Sequence, residues 1–343
     1  MRILLLSEFF LSGQTTHVLD LTEQLHKLGH SVHLRLARVH TPLFAAEYAP
    51  RLKKLGITVS TGSSASGLNY LLRSFRPDVI HAHSSTLFSL AHRLAYRFQV
   101  PYVLTCHGLG FDHPKYKEDL ENAAAVIAVG SNVAEQIKKT VTNLFIIANA
   151  VNTDYYVPPA PPRMRREIVY VGRIDEARIP GIKYLAKVLN AYFDHNLSIV
   201  GDRDPLVPGT IFHPWKTDLR PTLQQAGIVA ACGRSAREAL ASGCAVLLMQ
   251  RAYDGLISPA LVCRPDFDFS GNQGRYPFSR LIQDLRVLLN SPAKLRKLQH
   301  WSRRYAEECL SSASAARQVA AVYEKVLQNP TRRPPYPYRL FRR

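Results

Sequence analysis

Short, continuously apolar runs alternate with longer amphipathic segments along the first half of the chain. Residues 14–28 place apolar side chains at helical spacing and are followed by Gly29, which is typical of a helix end. The pattern predicts strands near 2–7, 31–36, 57–60, 78–83, 102–105, 125–129 and 144–147, and helices near 14–28, 44–55, 86–98 and from Ser131 onward. Because these strands are apolar throughout, they indicate a parallel sheet that helices cover on both faces.

The sequence pattern changes at residues 157–166, a segment that contains four prolines and has neither helical nor strand periodicity. Such a segment is typical of a stiff, solvated connector. After it the alternation resumes, and the pattern predicts strands near 168–171, 197–200, 227–231 and 245–248, and helices near 181–193, from Ser235 onward, and near 278–290, 292–310 and 313–328.

We therefore predict two Rossmann-like, doubly wound α/β domains with parallel sheets that face a cleft. The predicted parts are a first domain (1–156), a linker (157–166), a second domain (167–312), a helix that packs back toward the first domain (313–330) and a basic tail (331–343). In such folds a ligand binds outside the carboxyl ends of the strands.

Composition excludes several classes of protein. A chain of 343 residues with 46% hydrophobic and 20% charged residues fits two globular domains and argues against disorder. No apolar run approaches the ~18 residues of a membrane span. The apolar start at residues 1–6 is interrupted by Glu8 and leads into a helix, so we expect a strand of a cytoplasmic protein rather than a signal peptide.

The five cysteines are scattered and form no Cys-x-x-Cys pair. We therefore expect neither a disulfide framework nor a structural zinc site, but small buried side chains in a reducing compartment.

The first candidate site is the turn after the first predicted strand. Ser12 and Gly13 precede a helix, and free backbone N–H groups at a helix N-terminus favour an anion. A simple turn capped by Thr15 or Thr16 explains the same residues equally well.

Two basic residues follow the first strand of the second domain. Arg173 and Arg178 would lie at the edge of the cleft, where planar guanidinium groups are suited to clamping a diphosphate. The alternative is a solvated loop in which Asp175 and Glu176 pair with these cations. Farther along, Glu238 lies early in a helix after a strand, where a carboxylate accepts ribose hydroxyls or is stabilised by the helix N-terminus.

In this order, the motifs resemble those of the GT-B glycosyltransferases, specifically the retaining family 4 enzymes. The matching segments are DVIHAH at 78–83, LTCHG at 104–108, VIAVGS at 126–131, IANAVNTDYY at 147–156, VGRID at 171–175 and EALASG at 238–243. The likeness extends over nearly the whole chain. It implies a nucleotide-sugar donor bound by the second domain and an acceptor bound by the first.

The resemblance also assigns roles to residues. Arg173 corresponds to the diphosphate-binding arginine, and Arg178 stands where the family usually has lysine. Glu238 corresponds to the second glutamate of a Glu-x7-Glu motif and binds the ribose. His107 lies beside the donor sugar, with an orienting role, and Ser12-Gly13 takes the place of the glycine-rich first loop.

The chain departs from the family pattern at the first glutamate of that motif, where Ala230 stands. We expect Arg234 or Ser235 to contribute there, with Gly201 among the donor-binding residues. The departure leaves open a catalytically weakened protein that binds a nucleotide sugar or a partner. Asp254 either meets the sugar or forms an Asp-Gly turn.

The resemblance implies transfer with retention from a UDP-sugar and without a cofactor or metal, because cationic side chains stabilise the departing diphosphate. The acceptor is a glycan, a lipid-linked sugar or a small molecule of glycan, cell-envelope or glycolipid biosynthesis. His81 and His83 point the same way from one strand. Without a third ligand we expect no metal there, but hydrogen bonds to the backbone.

Lysine and arginine outnumber aspartate and glutamate by 44 to 26, which gives a net charge of +18. The tail at 331–343 holds five arginines, no acid and interleaved aromatic residues. It suits peripheral contact with an anionic membrane at its inner face, or serves only as a solubilising extension. Nucleic-acid binding is the least favoured function, because no recognised binding motif is present.

Overall fold

The computed structural model describes residues 1–161 and 165–328 and divides the chain into two α/β units. The first unit comprises residues 1–149 and the helix that begins at Ser312, and the second comprises residues 150–311. Residues 150–156, which the sequence pattern assigns to the first domain, thus belong to the second unit. So does the described part of the proline-rich segment 157–166.

The first unit is built on a seven-stranded sheet in which every pairing is parallel. Its strands are β1 (Arg2–Phe9), β2 (Ser31–Val39), β3 (Thr58–Thr61), β4 (Val79–Ala82), β5 (Tyr102–Cys106), β6 (Ala125–Ala128) and β7 (Leu144–Ile146). Its helices within residues 1–149 are α1 (Gly13–Lys27), α2 (Ala49–Lys54), α3 (Ala65–Phe75), α4 (Phe88–Phe98), α5 (Lys117–Glu121) and α6 (Ser131–Ile137). The strand order is β3-β2-β1-β4-β5-β6-β7, so the direction of winding reverses between β1 and β4.

The second unit repeats this arrangement with six strands in the order β10-β9-β8-β11-β12-β13. They are β8 (Glu167–Val171), β9 (Leu197–Gly201), β10 (Thr210–Pro214), β11 (Ala226–Ala231), β12 (Ala245–Met249) and β13 (Tyr253–Leu256). Its helices are α7 (Ile179–Phe193), α8 (Arg220–Gln225), α9 (Gly233–Ala241), α10 (Pro259–Val262), α11 (Arg280–Leu289) and α12 (Pro292–Cys309). Winding reverses here between β8 and β11, and only β13 pairs in the antiparallel sense.

Alternate residues of the same strand enter different cores in the second unit. Val169 and Val171 of β8 belong to one cluster, which includes buried residues of α9, whereas Ile168 and Tyr170 belong to a second, which includes residues of α7. A strand buried on both faces must be apolar at every position. The predicted parallel-sheet α/β fold is therefore confirmed for both units.

The last helix, α13 (Ser312–Gln328), lies in the first unit. The hydroxyl of Tyr323 lies 2.6 Å from His81 Nδ1, and both residues are fully buried. The Lys325 ammonium lies 5.1 Å from the centre of the Phe145 ring. The chain thus returns to the unit that contains its first residue.

Some elements differ from those that the sequence predicts. The helix predicted at 44–55 is a π-helical turn, Phe44–Tyr48, followed by α2. The strands β10 and β13 and the helix α3 were not predicted. Residues 254 and 255 lie within the edge strand β13 rather than in an Asp-Gly turn, and Gly255 adopts a φ of +107° there.

Three predicted segments extend outside the described residues. They are the middle of the linker (162–164), the end of the last helix (329–330) and the whole basic tail (331–343). None of the helices within residues 1–161 and 165–328 has both the length and the apolar character that a membrane-spanning segment requires.

We predict that Tyr323→Phe destabilises the first unit by about 1–3 kcal/mol, because a buried nitrogen of His81 loses its hydrogen-bond partner. Urea unfolding followed by fluorescence measures the change. Tyr70→Phe is the matched control, since Tyr70 is 75% exposed in the same unit. Equal midpoints for the two variants would contradict the prediction.

Candidate functional site

In each unit, the polar segments that the sequence singles out lie at the carboxyl ends of the two strands that flank the winding reversal. Ser12 follows β1 and His83 follows β4 in the first unit. The loop at 172–178 follows β8, and the segment at 232–238 follows β11, in the second. Open α/β sheets bind ligands at this point, because the connections from the two strands diverge and leave a crevice.

Ser12 is the N-cap of α1. Its hydroxyl oxygen accepts a hydrogen bond from the Thr15 backbone N–H at 3.3 Å, and its carbonyl oxygen accepts one from the Thr16 hydroxyl at 3.3 Å. The cap is thus Ser12 rather than Thr15 or Thr16. Gly13 is the first residue of the helix and is exposed. An anion at this helix end would meet backbone N–H groups and the positive end of the helix dipole.

A chain of hydrogen bonds connects the histidines at the strand ends of the first unit. His107 Nδ1 lies 3.2 Å from Asn149 Oδ1, and His107 Nε2 lies 3.1 Å from His83 Nδ1. Because Oδ1 can only accept, the proton of a neutral His107 is on Nδ1, and His83 donates to Nε2. His83 Nε2 is buried and has no hydrogen-bond partner among the described residues.

Two members of this group were missed by sequence reasoning as site residues. The ring of His17 lies 5.3 Å from the ring of His107, centre to centre, and Asn149 fixes the tautomer of His107. His17 lies in α1, where a histidine is indistinguishable in sequence from one on the solvated face. Asn149 is 42 residues from its partner, and no local signal connects the two.

Burial keeps these histidines neutral. It lowers the pKa of His107 to about 4, although the hydrogen bond that His107 donates to Asn149 opposes the shift. It lowers the pKa of His81 to about 3 and holds that of His83 well below the usual range. A neutral His107 with both ring nitrogens in hydrogen bonds is not positioned to remove a proton from a ligand.

His81 and His83 do point to the same side, with ring centres 4.0 Å apart. The expected hydrogen bonds to the backbone are wrong, however, because both residues bond to side chains. His81 Nε2 lies 2.7 Å from Thr105 Oγ1, and its other nitrogen contacts Tyr323. Within the described residues, no group of three or more potential ligands is arranged to hold a metal ion.

Arg178 lies across the strand ends of the second unit. Its guanidinium pairs with Asp175 and contacts the side-chain amide of Gln250, which follows β12. Burial raises the pKa of the Cys232 thiol to about 11, and the positive charge of Arg178 opposes this shift. Arg178 thus connects the segments that follow β8, β11 and β12. The sequence predicted Arg178 at this edge, but not Gln250, whose position depends on the sheet order.

The alternative interpretation of this loop is also partly correct. Asp175 pairs with Arg178, and Glu176 pairs with Arg203, whose Nη2 lies 2.6 Å from a carboxylate oxygen. Arg173 is exposed. The two predicted arginines therefore differ in burial, since Arg178 is partly buried at the strand ends whereas Arg173 is exposed.

Glu238 is buried in α9, and its Oε1 lies 2.7 Å from Arg234 Nε. Arg234 also donates to the Ala150 carbonyl oxygen at 2.7 Å. A guanidinium one turn earlier thus fixes the predicted ribose-binding carboxylate. Ser235 lies in the first turn of the same helix and is partly buried.

Ala230 is fully buried within β11, and only Cys232 separates that strand from α9. A glutamate eight residues before Glu238 would therefore lie in the core. Gly233 begins α9 with a φ of +55° and donates to the Phe269 carbonyl oxygen at 2.6 Å. The connection from strand to helix is thus a single tight turn.

Arg237 is a further cation that sequence reasoning missed. Its guanidinium lies 4.1 Å from the centre of the Phe269 ring, and its buried Nε has no hydrogen-bond partner among the described residues. Burial, followed by the nearby charge of Arg234, lowers the pKa of Arg237 to about 10. In sequence, Arg237 is one of two arginines in α9, and nothing marks it as partly buried.

Two other candidates have structural roles. A Cβ at Gly201 would collide with the side chain of Ile174 and lie 3.1 Å from the Gly172 carbonyl oxygen, so glycine is required there for packing. Asp254 is buried and accepts from the backbone N–H groups of Gln273 and Arg275 at 3.1 and 3.2 Å. It holds the segment at 273–275, which lies between α10 and α11.

All five cysteines are free in the structure, and the expectation that they are buried is correct only in part. Cys106 and Cys244 are buried, whereas Cys263 and Cys309 are exposed.

Two sheets of this kind, each with a ligand-binding edge at its winding reversal, define the GT-B fold of glycosyltransferases. Solved structures agree. A glycosyltransferase from Rickettsia africae has a TM-score of 0.73 and 17% identity, over 96% of this chain and 99% of that one. Anabaena HepE in complex with UDP and glucose has a TM-score of 0.68 and 13% identity, over 95% and 100%. Sucrose-phosphate synthase from Thermosynechococcus elongatus has a TM-score of 0.66 and 17% identity, over 96% and 99%.

Residues 11–155 match the model of Glycosyltransferase Family 4. This segment contains Ser12, Gly13, His17, His83 and His107. No curated protein matches the sequence significantly. The family match and the fold together support a transferase.

The neutral histidines predict how stability depends on pH. Their pKa values in the folded unit lie below the usual 6.5, so the unfolded chain binds more protons as the pH falls. Stability should decrease from pH 6.5 toward pH 5, by up to about 1.4 kcal/mol per pH unit for each such histidine. Urea midpoints across this range measure the slope.

His107→Asn should make this dependence shallower, because one titrating group is removed. His113→Asn is the control, since His113 is exposed in the same unit. A flat profile for the wild type, or the same change of slope in both variants, would show that burial of these rings does not govern stability.

Proposed function

We propose that the protein is a retaining, metal-independent glycosyltransferase that moves a sugar from a UDP-sugar to an acceptor. The observation that carries the proposal is the position of Arg178 across the strand ends that flank the winding reversal. The bound UDP in the HepE structure supports the choice of nucleotide.

The donor diphosphate would bind at the carboxyl edge of the second sheet. Arg178 is preorganised there by Asp175 and Gln250, and the partly buried Arg237 adds a second positive charge beside Cys232. Exposed Arg173 would close on the diphosphate from the solvent side. Charge develops on the leaving phosphate as the glycosidic bond breaks, so fixed cations lower the barrier and supply the charge that other transferases obtain from a metal.

Glu238 would accept hydrogen bonds from the ribose hydroxyls. Arg234 holds the carboxylate in place before a ligand arrives, so no side-chain ordering is needed on binding. Ser235 and the backbone N–H groups of the first turn of α9 lie at the positive end of this helix. This assignment places the nucleoside beside β11 and the diphosphate toward β8.

The first unit would bind the acceptor and the donor sugar. His107 is neutral, and Asn149 and His83 fix its ring. It would contact a sugar hydroxyl by exchanging one of these hydrogen bonds, in an orienting role rather than as an obligatory base. In the reaction, the bond from the anomeric carbon to the diphosphate breaks, and the acceptor oxygen bonds to the same face. The acceptor proton passes to the departing phosphate.

The acceptor class follows from resemblance and charge. The acceptor would be a glycan, a lipid-linked sugar or a small molecule of glycan, cell-envelope or glycolipid synthesis, as fits a family 4 transferase. The reaction would take place at the cytoplasmic face of a membrane. The net charge of +18 supports contact with an anionic surface.

A second function, binding of a nucleotide sugar without turnover, is favoured by one observation. The family resemblance leads us to expect a glutamate eight residues before Glu238, but Ala230 stands there and lies in the core. Only one residue connects β11 to α9, so no loop side chain takes the place of that glutamate.

We predict that the wild type releases UDP from one member of a panel of UDP-sugars in the presence of acceptor, with a glycoside of retained configuration. Arg178→Ala should weaken UDP binding about tenfold or more, with little change for uridine, because charge-assisted hydrogen bonds to phosphate are lost. Calorimetry measures binding, and chromatography with NMR measures the product.

Arg286→Ala is the control, since Arg286 is exposed on α11 and far along the chain from the strand ends. UDP binding without transfer across the panel would favour the non-catalytic function. Equal loss of UDP and uridine affinity in Arg178→Ala would remove this arginine from the diphosphate site.

A further inference from the structure

A basic cavity of about 860 Å³ lies in the second unit at the amino ends of the strands. Two of its lining residues fix the position, since Arg165 precedes β8 and Gly243 precedes β12. Arg178 and Glu238 follow the carboxyl ends of β8 and β11, at the other edge of the same sheet. A strand of five residues is about 16 Å long, so this cavity is separate from the proposed donor site.

One wall is a face of α12. Its cations recur at helical spacing, and the lining residues on this helix are Arg296, Lys297, Gln299, His300, Arg303 and Arg304. Arg296, Lys297 and Arg304 are exposed and have no carboxylate partner among the described residues. The opposite wall contains Pro158 and Pro159, which are conformationally restricted.

A buried cation is part of the lining. The Arg165 side chain is buried and donates to the carbonyl oxygens of Leu223, Ala226, Ser242 and Gly243 at 2.6 to 3.1 Å. Carbonyl groups satisfy its hydrogen bonds but carry no net charge, and Arg165 has no carboxylate partner among the described residues. Its positive charge therefore adds to that of the α12 face.

Arg303 contributes to the architecture rather than to the open face. It donates to the carbonyl oxygens of Thr153, Tyr156 and Ala241 and pairs with Glu307 at 2.7 Å. These contacts fix α12 against the chain segment that carries Pro158 and Pro159. The cavity thus has a rigid base, and Arg296, Lys297, His300 and Arg304 line its solvent side.

We propose that this cavity binds a phosphate group with two negative charges, either on a soluble molecule or on a lipid headgroup. Its described lining contains no carboxylate, and clustered cations in a concave surface concentrate anions. Adjacent guanidinium and ammonium groups match a phosphate with several acceptor oxygens. The site is independent of the proposed transferase activity.

The test compares two double variants of the full chain. Arg296→Gln with Lys297→Gln removes two cations from the cavity. Lys183→Gln with Lys187→Gln removes two exposed cations from α7 and is the matched control. Both leave Arg178 and Arg237 in place, so the difference between the variants reports on the cavity alone. Circular dichroism and thermal unfolding verify that both variants fold.

Two arms distinguish the sources of phosphate. Calorimetry with inorganic phosphate tests the soluble source, and sedimentation with phosphatidylcholine vesicles, with or without phosphatidic acid, tests the lipid source. The cavity variant should lose about tenfold or more in affinity in one arm, and the control variant should stay close to the wild type. The arm that shows the selective loss identifies the source.

Three results would overturn the proposal. The first is that the wild type binds neither probe, and the second is that both variants lose affinity equally, which is a general effect of net charge. Binding that does not weaken as salt is raised would also exclude an electrostatic site on this exposed face.

Discussion

Strands that are buried on both faces determine where this protein can carry out chemistry. Leu4, Leu6 and Ile80 in the first sheet, and Ile168 and Val169 in the second, are 2% exposed or less. An unpaired polar group among them would be left without water. The polar side chains of the candidate site therefore lie at the strand ends, and His33, which is buried within β2, is paired with the Ser60 hydroxyl. The winding reversal then opens a crevice at one edge of each sheet. Arg178, Glu238 and the histidine network all lie at such edges, and the basic cavity lies at the opposite one.

The same constraint explains how much of the fold is predictable from the sequence. Continuous apolar runs identified the central strands of both sheets, and their alternation with helices indicated the parallel topology. The edge strand β10 escaped detection because it is only partly buried. The edge strand β13 is largely buried, but it has only four residues and contains Asp254-Gly255, a pair that is typical of a turn. The helix α3 buries only Leu68, Leu71 and Leu72, so its short apolar stripe is a weak signal.

The candidate site was predictable in its location but not in its contacts. The positions of Ser12, His107, Arg178 and Glu238 follow from the strands that precede them. Their partners depend on the sheet order, which brings Gln250 to Arg178 across 72 residues of sequence. The pairing of Arg234 with Glu238 is an exception, because four residues in a helix place side chains on one face. That spacing was present in the sequence and was interpreted as two separate ligand contacts.

The central claim is that UDP binds at the carboxyl edge of the second sheet. Hydrogen exchange of the full chain with and without UDP, followed by mass spectrometry, tests it most directly. The account predicts slower exchange of backbone amides at 172–178 and 232–238 and no change at 296–304. Unchanged exchange at both strand-end segments, or protection only at the opposite edge of the sheet, would contradict it.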